Sequence, residues 1–260
     1  MNLYEATLQI ARSIKDMQLK TSALGSVVAA LEKSGDLAHS EEIFNEVLGD
    51  AHAIQDPKRA DSALGLIAIG LLQTSNFERV WQVVKLIQDT QSRDSTLWDI
   101  VVALTEKGSP GTALEFAHAI QDQASYKSLA YQQIAYALAE LGKFDQAIEV
   151  THAIQEERRK TVTLMQIATT LAEKGNVTEA LNIVQAIPDE EEQAYLLIDI
   201  AAVLAEAGHI EHALEVAQTV KREPFKTYAF LDISKNILTL NLDDTHQTEL
   251  ADRIMKAFKQ

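Results

Sequence analysis

Thr161–Ile187 reads TVTLMQIATTLAEKGNVTEALNIVQAI. Leu164, Ile167, Ala168 and Leu171 recur at steps of three and four residues and make one apolar helical stripe. Gly175 interrupts it, being suited to the left-handed backbone that ends a helix. Asn176 then stands where it can cap a second helix, with Glu179 three residues on as the partner in a capping box. Ala180, Ile183, Val184 and Ile187 form that helix's apolar face. The stretch therefore predicts two helices joined by a tight turn.

The same unit recurs along the chain. The isoleucine that closes it occurs at Ile14, Ile54, Ile87, Ile120, Ile154, Ile187 and, as valine, Val220. The gaps between these are 40, 33, 33, 34, 33 and 33 residues. A small or turn-prone residue follows most of them by 21: Gly35, Ser75, Gly108, Gly142, Gly175, Gly208 and Asn241. Eight before each landmark stand Val27, Ile67, Ile100, Ile134, Ile167, Ile200 and Ile233. Four before it stand Leu31, Leu71, Leu104, Leu138, Leu171, Leu204 and Ile237. A period of this size marks a solenoid. The reading is a single all-α, right-handed α-solenoid over 1–260, with about seven helix-turn-helix repeats of about 33 residues. Residues 1–16 form an N-terminal half-repeat, 17–241 the repeats and 242–260 a capping helix. The first period is seven residues longer, and its surplus lies between Gly35 and Ile54. About two extra helical turns keep the second helix's buried face in register. The one extra residue before Gly142 fits in the loop around Asp122–Ser125.

Composition agrees. Of 260 residues, 47% are hydrophobic and 23% charged, with only ten glycines and four prolines, too few for a turn-rich β protein. The net charge is −15 and no run of Lys or Arg offsets it, which argues against nucleic acid and anionic membranes as partners. There is no cysteine, so disulfides, thiolate metal sites and a cysteine nucleophile are excluded. The N-terminal MNLYEATLQIARSIKDMQ lacks the pattern of a secretory signal, and no stretch reaches the roughly 20 apolar residues of a membrane span. The expected location is the cytoplasm.

The spacing resembles the tetratricopeptide-repeat family. That family has an alanine five residues after the mid-repeat glycine, matched by Ala113, Ala147, Ala180 and Ala213. It has a small residue seven before, matched by Ala68, Ala135, Ala168 and Ala201. The resemblance covers essentially the whole chain. The period of 33 departs from the family's 34, and leucine replaces the tyrosine of the family's first helix. The resemblance implies a groove lined by first helices, at positions ten and six before each landmark. These are Gly25 and Ala29, Gly65 and Ile69, Trp98 and Val102, Gln132 and Tyr136, Met165 and Thr169, Ile198 and Ala202, and Leu231 and Lys235. Tyr195 and Tyr228 precede the last two landmarks by thirteen. The N-terminal third of such a groove is small and smooth. The expected ligand surface is Trp98, Gln132, Tyr136, Met165, Thr169, Tyr195, Ile198, Tyr228 and Leu231, rimmed by Glu106, Glu140 and Glu173. Aromatic and methionine side chains bury well against a peptide, and an acidic rim selects Lys or Arg beside its apolar anchors. Only Lys235 is basic among the groove positions, so the family's clamp for a terminal carboxylate is missing.

Nothing else carries chemistry. AHAIQD occurs at Ala51–Asp56 and Ala117–Asp122, and THAIQE at Thr151–Glu156; His52, His118 and His152 read as polar residues of the outer helices. His209 and His212 have chelating spacing but no third ligand in sequence, and read as a solvated pair. The glutamate row reads as a solvated edge or a track for a basic ligand. No hydrolase, zincin, phosphate-loop or dinucleotide motif occurs. The expectation is a non-enzymatic scaffold without cofactor or metal, binding a protein or peptide segment. The alternatives are a self-assembling repeat protein and a regulatory subunit of an enzyme complex.

Overall fold

A computed structural model describes residues 3–74, 76–122, 125–239 and 244–259. All regular structure among them is helical, in fifteen helices with no strand. The landmarks Ser75 and Asn241, Asn2 of the half-repeat and half of the loop expected to absorb the extra residue lie outside the described residues. The chain forms two compact units, residues 1–137 and 138–260, divided within helix α8.

The first unit holds α1 (Leu3–Arg12), α2 (Met17–Ser34), α3 (Leu37–His52), α4 (Pro57–Leu71), α5 (Phe77–Val84), α6 (Thr90–Glu106), α7 (Pro110–Ala119) and most of α8 (Tyr126–Glu140). Here α2 packs on α3 and α4, α4 on α5 and α6, and α6 on α7. The Trp81 ring of α5 stacks on Phe116 of α7 with centroids 4.3 Å apart. The second unit holds α9 (Phe144–His152), α10 (Glu157–Glu173), α11 (Val177–Ala186), α12 (Glu190–Glu206), α13 (Ile210–Thr219), α14 (Phe225–Thr239) and α15 (Asp244–Phe258). In it α10 packs on α9, α11 and α12, α12 on α13 and α14, and α15 on α13 and α14.

The expected apolar positions are the core. Every Ile, Val and Leu eight and four residues before a landmark is buried, as are the eight alanines shared with the repeat family. Full burial of one such Ile or Leu contributes about 1.5–3 kcal/mol, so the repeated stripe dominates the packing. The turns are as regular. Gly35, Gly108, Gly142, Gly175 and Gly208 all have φ between 72 and 82°. At each, the next residue's amide closes on the carbonyl of the leucine four before the glycine, as Asn176 N–H does on Leu171 O at 2.8 Å. That pair of features is a Schellman turn.

One expectation needs correcting. Asn176 does not cap its helix with a side chain, and neither does Ser109, which follows Gly108 in the same way. The Asn176 N–H that Glu179 would have engaged in a capping box is donated to Leu171 O instead. Backbone closure sets this corner, so the same position accepts Lys143 and His209. Side-chain caps fall mostly on the longer helices: Asp16, Asp56, Asp89 and Asp189 accept from first-turn amides of α2, α4, α6 and α12. The surplus of the first period lengthens α3 to 16 residues, against 8 in α5 and 10 in α7.

Candidate binding surfaces

The expected ligand residues divide between the two units. In the first, Trp98 on α6 and Gln132 and Tyr136 on α8 are half-buried. The Gln132 amide donates to the Tyr136 hydroxyl at 2.8 Å. This fixes both side chains at one turn's spacing and uses polar capacity that a ligand would otherwise meet. Glu106 is exposed on α6. In the second unit Met165 and Thr169 are half-buried on α10, and the Thr169 hydroxyl donates back to Met165 O at 3.1 Å. Glu140 and Glu173 are exposed. Ile198 corrects the sequence expectation: at 8% exposure it belongs to the core of α12 and offers a ligand little surface. It lies on α12, which packs against α10, α13 and α14.

Tyr195 on α12, and Tyr228 and Leu231 on α14, are about half exposed, at 50, 50 and 49%. Single exposed apolar side chains are ordinary, whereas a group of large ones on adjoining helices marks a surface that a partner can cover. The Tyr195 ring stands edge-on to buried Phe225, centroids 5.0 Å apart, so it has a rigid backing. Two carboxylates flank these groups. Burial, and then the neighbouring charge of Asp232, raises the pKa of Asp199 above the ordinary aspartate value. Asp232 pairs with Lys235 at 2.7 Å, which leaves Asp199 the under-neutralised member. The α12–α14 pair thus presents an aromatic surface with a carboxylate that a cation would relieve.

No protein-family model matches the chain, and no curated protein matches it. Among solved structures the chain is similar to the crystal structure of Ton1535 from Thermococcus onnurineus NA1, with 13% identity and a TM-score of 0.38 over 88% of this chain and 83% of that one. The likeness is too slight to bear on fold or function.

The histidines are dispersed. His52, His118 and His152 are exposed, on α3, α7 and α9. His209 and His212 are exposed with ring centroids 6.3 Å apart, and no group of three His, Asp or Glu among the described residues is placed to hold a metal ion.

Sequence reasoning missed two features. Asp61 and Asp94, spaced by one period, are 4% and 1% exposed inside α4 and α6. The Asp61 carboxylate accepts the amides of Gln88 and Asp89 at 3.0 and 2.9 Å. Asp94 accepts those of Gln121, at 3.2 Å, and Asp122, at 2.8 Å. Each ties a first helix to the loop that ends its repeat. The signal was a polar residue fourteen before Ser75 and Gly108, recurring inside the apolar stripe.

The second feature is a trough between α4 and α6, in the part of the groove expected to be smooth. Gly65 lets the helices approach until an added Cβ would lie 2.8 Å from Thr96 Oγ1. With Ser62 and Ser95 beside it, no large side chain fills the space, and a cavity of about 420 Å³ remains. A second, mostly apolar cavity of about 630 Å³ lies between α1 and α2, where Leu3 and Ile10 are 85% and 68% exposed. No helix among the described residues is long and apolar enough to cross a membrane.

Proposed function

We propose that the protein is a non-enzymatic tetratricopeptide-like solenoid of about seven repeats that binds a protein segment carrying Lys or Arg beside apolar anchors. The observation that carries this reading is the α12–α14 surface, where half-exposed Tyr195, Tyr228 and Leu231 share their helices with the exposed carboxylate of Asp199. In the first unit Trp98, Gln132 and Tyr136 offer binding surface with Glu106 as an acidic edge, and in the second Met165 and Thr169 do so with Glu140 and Glu173. The five identical glycine turns and the buried Ile and Leu positions support the repeat assignment. An overall charge of −15 favours a basic partner and repels nucleic acid.

Peptides selected from a random display library on the wild-type protein test the reading. The expected peptides combine Lys or Arg with aromatic or branched aliphatic residues. Truncating one central aromatic anchor typically costs about 2 kcal/mol or more in affinity. Tyr195→Ala and Tyr228→Ala should each weaken binding by that order while the melting temperature stays close to wild type. Acidic or neutral selected peptides, or full binding to the double variant, would sink the proposal.

The apolar cavity at α1 and α2, with Leu3 and Ile10 so exposed, favours self-assembly as a second reading. Sedimentation over a hundredfold concentration range separates the two. Mass that rises with concentration in the wild type and falls to monomer in Ile10→Asp supports assembly, whereas a constant monomer mass leaves the scaffold reading.

A further inference from the structure

The trough between α4 and α6 has unfilled room and one unanswered charge. Its volume of about 420 Å³ lies within the roughly 300–1,000 Å³ range of small-ligand pockets. Leu66 and Ile69 supply apolar wall on α4, Ser95 and Thr96 hydroxyl-bearing wall on α6, and the Tyr126 ring adjoins them. Four charged side chains line the space: Lys58, Asp61, Asp89 and Asp99. Three of them are accounted for. Two loop amides engage both oxygens of Asp61. Asp89 accepts the Ser92 amide at 2.7 Å, and its carboxyl is held below the usual aspartate value chiefly by that bond, with the Lys58 charge contributing. Asp99 lies exposed at the edge of the trough with no hydrogen-bond or ion-pair partner among the described residues, and its partial burial pushes its carboxyl upward. No cation among the described residues pairs with it.

We infer that this trough is a socket for an aliphatic stem ending in an ammonium or guanidinium group, with Asp99 as counter-ion and Leu66 and Ile69 against the stem. The reasoning is complementarity. A partly exposed carboxylate without a partner, set beside an unfilled trough, is answered best by a cation that brings its own donors. The apolar wall beside it suits methylenes, which Lys and Arg side chains and free aliphatic polyamines share. A neutral or anionic ligand would leave Asp99 as it is or repel it. The inference concerns the first unit alone and does not depend on the α12–α14 surface.

Amide chemical shifts of the intact protein test it, with N-acetyl-arginine amide, N-acetyl-lysine amide and spermidine as probes and N-acetyl-norleucine amide as the uncharged control. At about 10 mM probe, a concentration that reaches weak single-group binding, the cations should shift the amides of Gly65, Thr96 and Asp99 and the control should not. Tighter binding by the capped amino acids assigns the socket to a polypeptide side chain, and tighter binding by spermidine assigns it to a free amine. Asp99→Asn should weaken every cation roughly tenfold or more, as expected for loss of a charge-assisted contact. Ser95→Lys places an ammonium one helical turn from Asp99, where the pair can form within α6. It should abolish binding with the helical signal intact. Equal shifts from norleucine amide, undiminished binding by the Asp99→Asn protein, or no shift with any cation would each overturn the inference.

Discussion

Asp94 buries a carboxylate among apolar side chains, and the loop amides of Gln121 and Asp122 are what make that placement stable. Removing the acceptor strands two amides in the interior at roughly 1–3 kcal/mol each. Asp94→Ala should therefore lower the unfolding free energy by about 2–6 kcal/mol in urea titration, and Asp61→Ala by a similar amount. Asp94→Asn keeps one acceptor oxygen and should lose about half as much. An unchanged urea midpoint for Asp94→Ala would mean that water replaces the carboxylate. Gly175 is a contrasting case: φ is 81° and nothing lies within 4 Å of an added Cβ. The cost of Gly175→Ala is then backbone strain alone, about 1–2 kcal/mol, with the fold unchanged. Gly175 is legible in sequence because a left-handed corner demands one residue type. Asp94 is not, because its partners are 27 and 28 residues downstream and become neighbours only on folding.

Between elements, α5 depends on Arg79. Helix α5 has only eight residues, too short to be stable alone. Its Arg79, with the side chain 11% exposed, pairs with Glu32 of α2 at 2.7 Å and with Glu41 of α3. It also donates to Ser40 Oγ at 2.7 Å and lies over the Phe44 ring at 4.8 Å. Three helices meet at one guanidinium. Deleting one partner of a buried pair leaves the other uncompensated, at roughly 3–5 kcal/mol. Arg79→Ala should cost about that much, and hydrogen exchange should show the α5 amides losing protection before those of α4. Arg79→Lys should recover only part, since an ammonium lacks the planar fork that reaches several acceptors. Equal loss of protection across α2 to α7 would mean that the pair supports the unit as a whole. At this scale the longer α3 followed from counting residues, whereas the Arg79 junction did not, because helical periodicity marks which face is buried and not which polar groups meet there.

Over the whole molecule the carboxylates pull in opposite directions with pH. Glu46, held low chiefly by its hydrogen bond from Arg12, and the helix-capping Asp16, Asp36 and Asp89 have depressed values. Their stabilisation is present above the unfolded-state value and is lost as pH falls through the folded one. Asp99 and Asp199 are raised, both chiefly by burial. Theirs is present below the unfolded-state value and is lost as pH rises through the folded one. Asp199→Asn should therefore raise the melting temperature at pH 7 and leave it unchanged near pH 3. The opposite pattern in a thermal melt series would show that Asp199 has a cation partner. The charge of −15 should also make association with a basic partner faster at low salt.

The sequence by itself determined the helices, their turns and their buried faces. Those depend on local backbone preference and on a hydrophobic period that repetition makes unmistakable, as the buried positions from Val27 to Ile237 show. Tertiary structure alone decided which surface residues keep their exposure. Ile198 and Leu231 occupy the same position in successive repeats, yet one is buried and the other half exposed. It also decided that Gly65, Ser62 and Ser95 leave a cavity, and that Asp99 has no partner among the described residues while Asp61 and Asp94 have two amides each. Exposure and charge pairing are set by what neighbouring helices bring to a position, and that information is spread over residues a full period apart.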